Sequence, residues 1–225
     1  MRAAIFLNGS PDSEPLIRAV ASRADLVVAA DGGARHALAA GIVPDQVVGD
    51  MDSLGEDLAL EVERRGASLE RHPERKDKMD GHLAVLAAGE RGVTAADFLC
   101  AAGGKPGAVF AVPHILLVAE RIGLRSTVVT DWGRMFVIEG RSRVVEGSAR
   151  DSVSIFPFSG QATGVTLKGM VYPLENADLE PGDTLGFHNE LIGREAKVSV
   201  ESGTLLVVHE ARDRLHGPPH ENGLR

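Results

Sequence analysis

Residues 25–66 read DLVVAADGGARHALAAGIVPDQVVGDMDSLGEDLALEVERRG, and this stretch decides the architecture. Two short apolar runs, "DLVVAADGG" and "DQVVGD", alternate with two runs of helical period, "ARHALAAG" and "LGEDLALEVERRG", the second ending at Gly66. The strand runs are apolar without a polar face. Strands of that kind belong in a parallel sheet covered by helices on both sides. The pattern extends outward. Upstream, "RAAIFLNG" reads as a strand and "SEPLIRAVASRA" as a helix. Downstream come the helix "MDGHLAVLAAGERG", the strand "DFLCAAGG", the helix "FAVPHILLVAERIG" with Pro113 near its first turn, and the strand "STVVTD".

After Trp132 the helical period stops. "RMFVIEG", "SRVVEG", "DSVSIFPFSG", "GVTLKGMVYPL", "AKVSVESG" and "TLLVVHE" are short β runs parted by glycine-rich turns, with Ser202-Gly203 suited to a two-residue hairpin turn. Short strands at this spacing indicate a sandwich or barrel. The expected fold is α/β plus all-β. A Rossmann-like parallel α/β sheet domain spans 1–132, a β-sandwich domain spans 133–216, and a polar, flexible tail spans 217–225.

The 225 residues carry a formal net charge of −8, which argues against non-specific binding to nucleic acid or anionic membranes. The single cysteine, Cys100, lies in an apolar run and reads as a small buried hydrophobe. The opening apolar run fits a strand better than a signal peptide. No apolar stretch approaches the roughly 20 residues of a membrane helix, and a cytoplasmic protein is expected.

In parallel α/β sheets, ligands bind beyond the carboxyl ends of the strands. Three such ends are unusual here: "AADGG", "VGDMDS" and "AAGG". In "GDMDSLGE", Ser53 and Glu56 have capping-box spacing, and Asp52 suits a helix start. Asp50 is left over. In an extended segment it projects on the same side as Asp52, and two like charges that close call for a cation. In "ERKDKMDGHLAV", Asp77 and Asp80 are three apart at a helix start, with Asp77 placed as its N-cap, beside Arg75, Lys76 and Lys78. Acids for Mg²⁺ and cations for phosphate oxygens together suit a metal-bound nucleotide polyphosphate. The glycine pairs Gly32-Gly33 and Gly103-Gly104 permit close backbone approach but form neither a Walker motif nor a dinucleotide fingerprint. Seven of the eight histidines, His36, His72, His82, His114, His209, His216 and His220, read as structural or solvated, and His188 interrupts the β runs in "GFHNELIG".

Taken together, "ADGGARHALAAGIVPDQVVGDMDSL" resembles the N-terminal signature of thiamine pyrophosphokinases: Ala-Asp-Gly-Gly, then Gly-Ile-x-Pro-Asp, then Gly-Asp-x-Asp-Ser. "KDKMD" resembles the family's Lys-Asp-x-Thr-Asp, with Met79 in place of threonine. Residues from "SGQATGVTLKGMVYPL" to "GTLLVV" resemble the thiamine-binding β domain.

The resemblance implies transfer of ATP's terminal pyrophosphoryl unit to thiamine's hydroxyl, giving thiamine diphosphate and AMP. It assigns Asp50, Asp52 and Asp80 to Mg²⁺, with Asp77 beside them in catalysis. It assigns Asp31, Gly32, Gly33, Ser53, Lys76, Gly103, Gly104 and Lys105 to ATP, and His188 and Asn189 to thiamine. It also implies a homodimer with the ligand site at the subunit interface. Which acid takes the alcohol's proton stays open.

Two departures stand out. The family's Gly-Gly-Arg-x-Asp-His reads "GGKPGA" here, so Lys105, Gly107 and Ala108 replace arginine, aspartate and histidine, and Val112 stands where asparagine is frequent. Lysine keeps the charge but lacks the guanidinium's fork. His188 replaces the serine of Ser-Asn-Glu. The same departures fit two other readings: a pyrophosphokinase for another small alcohol, or a non-catalytic descendant that binds a nucleotide or thiamine.

Overall fold

A computed structural model describes residues 1–212. The chain divides into two compact units, Met1–Asp131 and the part from Trp132 onward. The expected tail, 217–225, with His216 and His220, lies outside the described residues.

The first unit holds strands β1 (Arg2–Phe6), β2 (Leu26–Ala30), β3 (Gln46–Gly49), β4 (Ser68–Arg71), β5 (Ala95–Leu99) and β6 (Arg125–Val129). They are all parallel, in the order β6-β5-β1-β2-β3-β4. The order reverses between β1 and β5, where an open α/β sheet forms its ligand crevice. Helices α1 (Glu14–Ala21), α2 (Gly33–Ala39) and α3 (Glu56–Arg64) cover one face. There Ala4, Phe6, Val27, Ala29 and Val47 meet Ile17, Ala34, Ala37, Ala59 and Val62 in one fully buried cluster. Helices α4 (Asp80–Glu90) and α5 (Pro106–Arg121) pack against each other, α4 on β2 and β3 and α5 on β6. Each buried Val, Ile or Phe side chain of this kind contributes about 1.5–3 kcal/mol, and each alanine methyl about 0.8 kcal/mol.

Strand β4 is absent from the sequence reading. Among the described residues it pairs with β3 only, and it is half exposed, so its SLER sequence lacks the apolar signal. Helix α5 starts at Pro106, earlier than expected, which puts Pro113 in its interior. Pro113 cannot donate to the Val109 carbonyl, and Val109 lies on an exposed turn where water can accept that role.

The second unit holds β7 (Gly133–Glu139), β8 (Ser142–Glu146), β9 (Ser152–Pro157), β10 (Ala162–Lys168), β11 (Leu174–Leu179), β12 (Asn189–Glu190), β13 (Glu195–Ser199) and β14 (Thr204–Glu210). It is a sandwich of two antiparallel layers, β12-β9-β14-β7 and β11-β10-β13-β8. Phe136, Ile155, Leu205 and Val207 of one layer face Val165, Leu167, Val198 and Val145 of the other. The expected hairpin at Ser202-Gly203 is corrected. Strands β13 and β14 belong to different layers, and Ser202 bridges Thr163, so this turn carries the chain across the sandwich. Strands β11 and β12 also escaped the sequence reading, because β11 (LENADL) is mostly solvated and β12 is only two residues long.

No helix among the described residues is long and apolar enough to cross a membrane.

Candidate active site

The carboxyl ends of β1, β2, β3 and β5 open into a cleft of about 440 Å³. It lies at the β1/β5 reversal, where Leu7, Asn8 and Gly9 follow β1 and Cys100, Ala101 and Gly103 follow β5. The two loops are zipped by backbone hydrogen bonds from Gly9 to Cys100 (2.8 Å) and from Ser10 to Ala102 (2.7 Å). The His36 ring nitrogen also reaches the Gly9 carbonyl at 3.0 Å.

Three non-glycine residues at these strand ends hold left-handed backbone: Asp31 (φ 43°), Met51 (φ 68°) and Cys100 (φ 54°). Such conformations cost about 1–3 kcal/mol each and gather where the surroundings enforce them, often at functional sites. Met51 matters most. The segment Asp50–Asp52 is a turn, not the extended run expected, and that turn brings the acids together, with the Asp52 amide donating to Asp50 Oδ1 at 3.2 Å.

The acids meet in one place. Oxygens of Asp31, Asp50 and Asp52 all lie within 4.8 Å of one another. Asp31 is buried, and its two oxygens accept from the Ser53 and Leu54 amides at 3.1 Å each. Burial raises its pKa, and those donors oppose the rise. Arg35 ties down the far side of the same turn by donating to the Ser53 carbonyl at 2.8 Å.

Lys76 joins this cluster to α4. Its ammonium donates to Asp50 Oδ2 at 2.6 Å and lies 3.0 Å from Asp80 Oδ1. The Lys76 hydrogen bond holds the Asp50 carboxyl below the usual carboxylate range, against the opposing effect of burial. Burial works to lower the Lys76 pKa, and the two carboxylates outweigh it, so the ammonium is held charged.

Gly49 explains how these acids come so near. A β-carbon there would lie 2.8 Å from Asp31 Cβ and 3.1 Å from the Asp80 carboxylate, and its φ is 153°. Only glycine fits between the two acids.

The expected helix starts are corrected. Helix α3 begins at Glu56 with Gly55 as N-cap and no side-chain cap, so Ser53 and Glu56 form no capping box. The donors that Ser53 was expected to satisfy lie one turn later, and the Ser53 amide is instead held by Asp31. Helix α4 begins at Asp80 with Met79 as N-cap, so Asp77 is neither cap nor helical and precedes the first turn.

Of the expected site residues, Asp31, Asp50, Ser53, Lys76, Asp77, Asp80 and Gly103 line the cleft. Asp52, exposed, touches the cluster from outside it. Gly32, Gly33, Gly104 and Lys105 are not among the lining residues. A β-carbon at Gly32 would overlap the Asn8 side chain, and one at Gly33 would overlap the Phe6 carbonyl, so this pair lets α2 sit tightly on β1. Lys105 is the exposed N-cap of α5, and the wall that α5 gives the cleft is apolar: Ala108, Val112 and Ile115. Asn8 and Gly9 were missed because "NGSPD" has the composition of an ordinary turn. The one available signal was its place after an apolar strand.

In the second unit, Asn189 is buried and its side chain is fully engaged. Its oxygen accepts from the Tyr172 and Glu190 amides (2.9 Å each), and its nitrogen donates to the Tyr172 carbonyl at 2.6 Å. It is a clasp that presents exposed Tyr172. His188 is exposed, has φ 55°, and packs edge-on against Phe187 at 4.1 Å between ring centroids.

Residues 17–125 match the family model described as thiamin pyrophosphokinase, catalytic domain, and residues 143–205 match that described as thiamin pyrophosphokinase, vitamin B1 binding domain. The thiamine pyrophosphokinase of Bacillus subtilis strain 168 is 26% identical over 184 residues, which cover 81% of this chain and 86% of that protein. The crystal structure of the Bacillus subtilis thiamine pyrophosphokinase superposes with a TM-score of 0.80 at 23% identity, covering 94% of this chain and all of that one. The Geobacillus thermodenitrificans thiamin pyrophosphokinase gives 0.80 at 25% identity, covering 94% and 98%.

Proposed function

The chain belongs to the thiamin pyrophosphokinase family, a family of transferases, and from that premise we propose that it moves the terminal pyrophosphoryl group of ATP to the hydroxyl of thiamine. The products are thiamine diphosphate and AMP. The observation that carries this reading is the convergence of Asp31, Asp50 and Asp52 with Lys76 and Asp80 at the carboxyl edge of a parallel sheet.

The donor set fits Mg²⁺. It offers only hard carboxylate oxygens, grouped within ion-binding reach, and the buried Asp80 Oδ1 lies 3.0 Å from the Lys76 ammonium that joins it to Asp50. Asp50 and Asp52 would hold the ion, with Asp80 on the far side of Lys76. When bound, Mg²⁺ neutralises charge on the phosphate oxygens. The chain's residues do the rest. Asp31 fixes the turn that carries Asp50 and Asp52. Lys76 meets phosphate oxygens. A carboxylate of the cluster accepts the proton of the attacking alcohol. The zipped loops after β1 and β5 hold the nucleotide in line, which matters because positioning and electrostatics dominate such transfers.

Thiamine is assigned to the second unit, at the loops held by Asn189, with His188 exposed beside them. A homodimer in which one subunit's β domain completes the partner's site, and a cytoplasmic location, belong to the same reading. The test is direct: incubate the purified chain with Mg²⁺, ATP and thiamine and quantify AMP and thiamine diphosphate, expected in equal amounts. AMP formed only with a different alcohol would favour the second pyrophosphokinase reading, to which the apolar α5 wall lends weight. Tight ligand binding without turnover would leave a non-catalytic descendant.

A further inference from the structure

Lys76 sits between two acids that the proposed function assigns to a divalent ion, and this inference rests on that reading. The ammonium is in contact with Asp50 at 2.6 Å and with Asp80 at 3.0 Å, and the three side chains are 14%, 12% and 27% exposed. In such partly desolvated surroundings a unit charge at contact distance acts strongly. Without Lys76, Asp50 and Asp80 repel. With it, a divalent ion approaching Asp50 meets a cation already bound to the same carboxylate. The two cations therefore compete, and the protein's own is covalently tethered.

We infer that Lys76 is an interlock: it holds the acid pair for itself until phosphate oxygens draw it away, so that ion and polyphosphate load together and the ion alone binds poorly. Phosphate is the chemistry suited to this, because it offers the ammonium replacement anionic oxygens while bridging to the metal. Asp31 and Asp52 stay in the cluster throughout, since their anchors do not involve Lys76: Asp31 is held by the Ser53 and Leu54 amides, and the Asp52 amide is on Asp50 Oδ1, not the Oδ2 that Lys76 takes. Lys76 is thus a positioning residue as well as a phosphate contact. It makes the affinities for metal and nucleotide depend on each other, and such coupling is reciprocal.

The experiment measures Mn²⁺ binding to the full chain by the paramagnetic resonance signal of the free ion, without nucleotide. Lys76→Met and Lys76→Gln are expected to bind Mn²⁺ at least about tenfold more tightly than the wild type, whereas Lys76→Arg, which keeps the charge, is expected to resemble it. Adding Asp50→Asn to Lys76→Met is expected to erase the gain. A purely structural lysine would make metal binding weaker or unchanged in the neutral variants, and either result overturns the interlock. Melting curves identify any variant that fails to fold, and a wild-type measurement then decides by itself. The affinity for α,β-methylene-ATP, whose transfer bond cannot break, should rise at least about tenfold when Mn²⁺ is added to the wild type. Equal affinity with and without Mn²⁺ overturns the proposal. Catalytic turnover alongside no gain in the Lys76 variants would sink the interlock alone. No Mn²⁺ binding in any variant, with or without the analogue, would sink the metal assignment beneath it.

Discussion

Gly49→Ala probes the site's geometry without removing any polar group. The new methyl would lie 2.8 Å from Asp31 Cβ and 3.1 Å from the Asp80 carboxylate. Apolar carbons prefer about 3.5–4.0 Å, so one neighbour must retreat by roughly 0.7 Å or more. Neither retreats freely. The Asp31 amide is bonded to the Val48 carbonyl at 2.9 Å and its carboxylate to two further amides. Asp80 is the first residue of α4 and is also tied to Lys76. The backbone at φ 153° adds its own penalty for an L-residue. Strain of about 1–3 kcal/mol and overpacking of about 1–3 kcal/mol together cost roughly 2–4 kcal/mol, because partial relaxation relieves part of each. For a chain of this size that lowers the melting temperature by roughly 5–15 °C. Below the melting transition the folded enzyme should still lose about a hundredfold in kcat/KM, since displacements near 1 Å among reacting groups carry that penalty. Differential scanning fluorimetry and an AMP-release assay at 20 °C below the variant's own melting point separate the two effects. A variant with wild-type kcat/KM at that temperature would refute the view that Gly49 sets the spacing of the acids.

Asp50→Asn should lower turnover at least about a hundredfold while shifting the melting temperature by only a few degrees, and normal turnover would remove Asp50 from the metal set. Asn189→Ala should destabilise the protein by about 1–2 kcal/mol in urea unfolding, because it removes the hydrogen-bond partner of the partly buried amides of Tyr172 and Glu190; an unchanged midpoint would contradict the clasp. Burial tends to raise the pKa of Asp151, but the amides of Arg212 and Ser148 and its 2.9 Å contact with His209 outweigh burial and depress it. A depressed carboxyl stabilises the fold above its unfolded pKa of about 3.9, and that contribution fades as pH falls through the lower folded value. The stability gap between wild type and Asp151→Asn should therefore be full at pH 7 and shrink below about pH 4; a gap that widens with acid would reverse the sign argued here.

The alternation of "LVVAA" and "QVVG" with helical runs was legible because both faces of β2 and β3 are buried, leaving no polar interruption. Asp50 stood out for a physical reason too, since two acids at a strand end need a counter-charge. What the sequence hid was context. β4 and β11 are half-solvated and look like loops. Gly49 looks like one more strand-ending glycine until Asp31 and Asp80 are seen on either side of it. The capping-box spacing of Ser53 and Glu56 was sound local chemistry, overridden when Asp31, distant in sequence, took the amide. Asn8 and Gly9 become site residues only because β5 returns beside β1, a pairing no local pattern announces.

Nearly every step along the second unit changes layer. Strands β7, β9, β12 and β14 fall in one sheet and β8, β10, β11 and β13 in the other, so among the described strands of this unit only β10 and β11 are neighbours both in sequence and in space. Strand β14 fills the slot between β7 and β9. During vectorial synthesis, then, the slot between β7 and β9 stays unfilled until the ribosome has made Thr204–Glu210, and the loop-closure entropy of joining these two strands through β14 is met only then. Nascent chains stalled before Thr204 should be cut readily by protease within β7 and β9. Those stalled well after Glu210 should resist, and protection already present in the shorter chains would show that the sandwich assembles piecemeal.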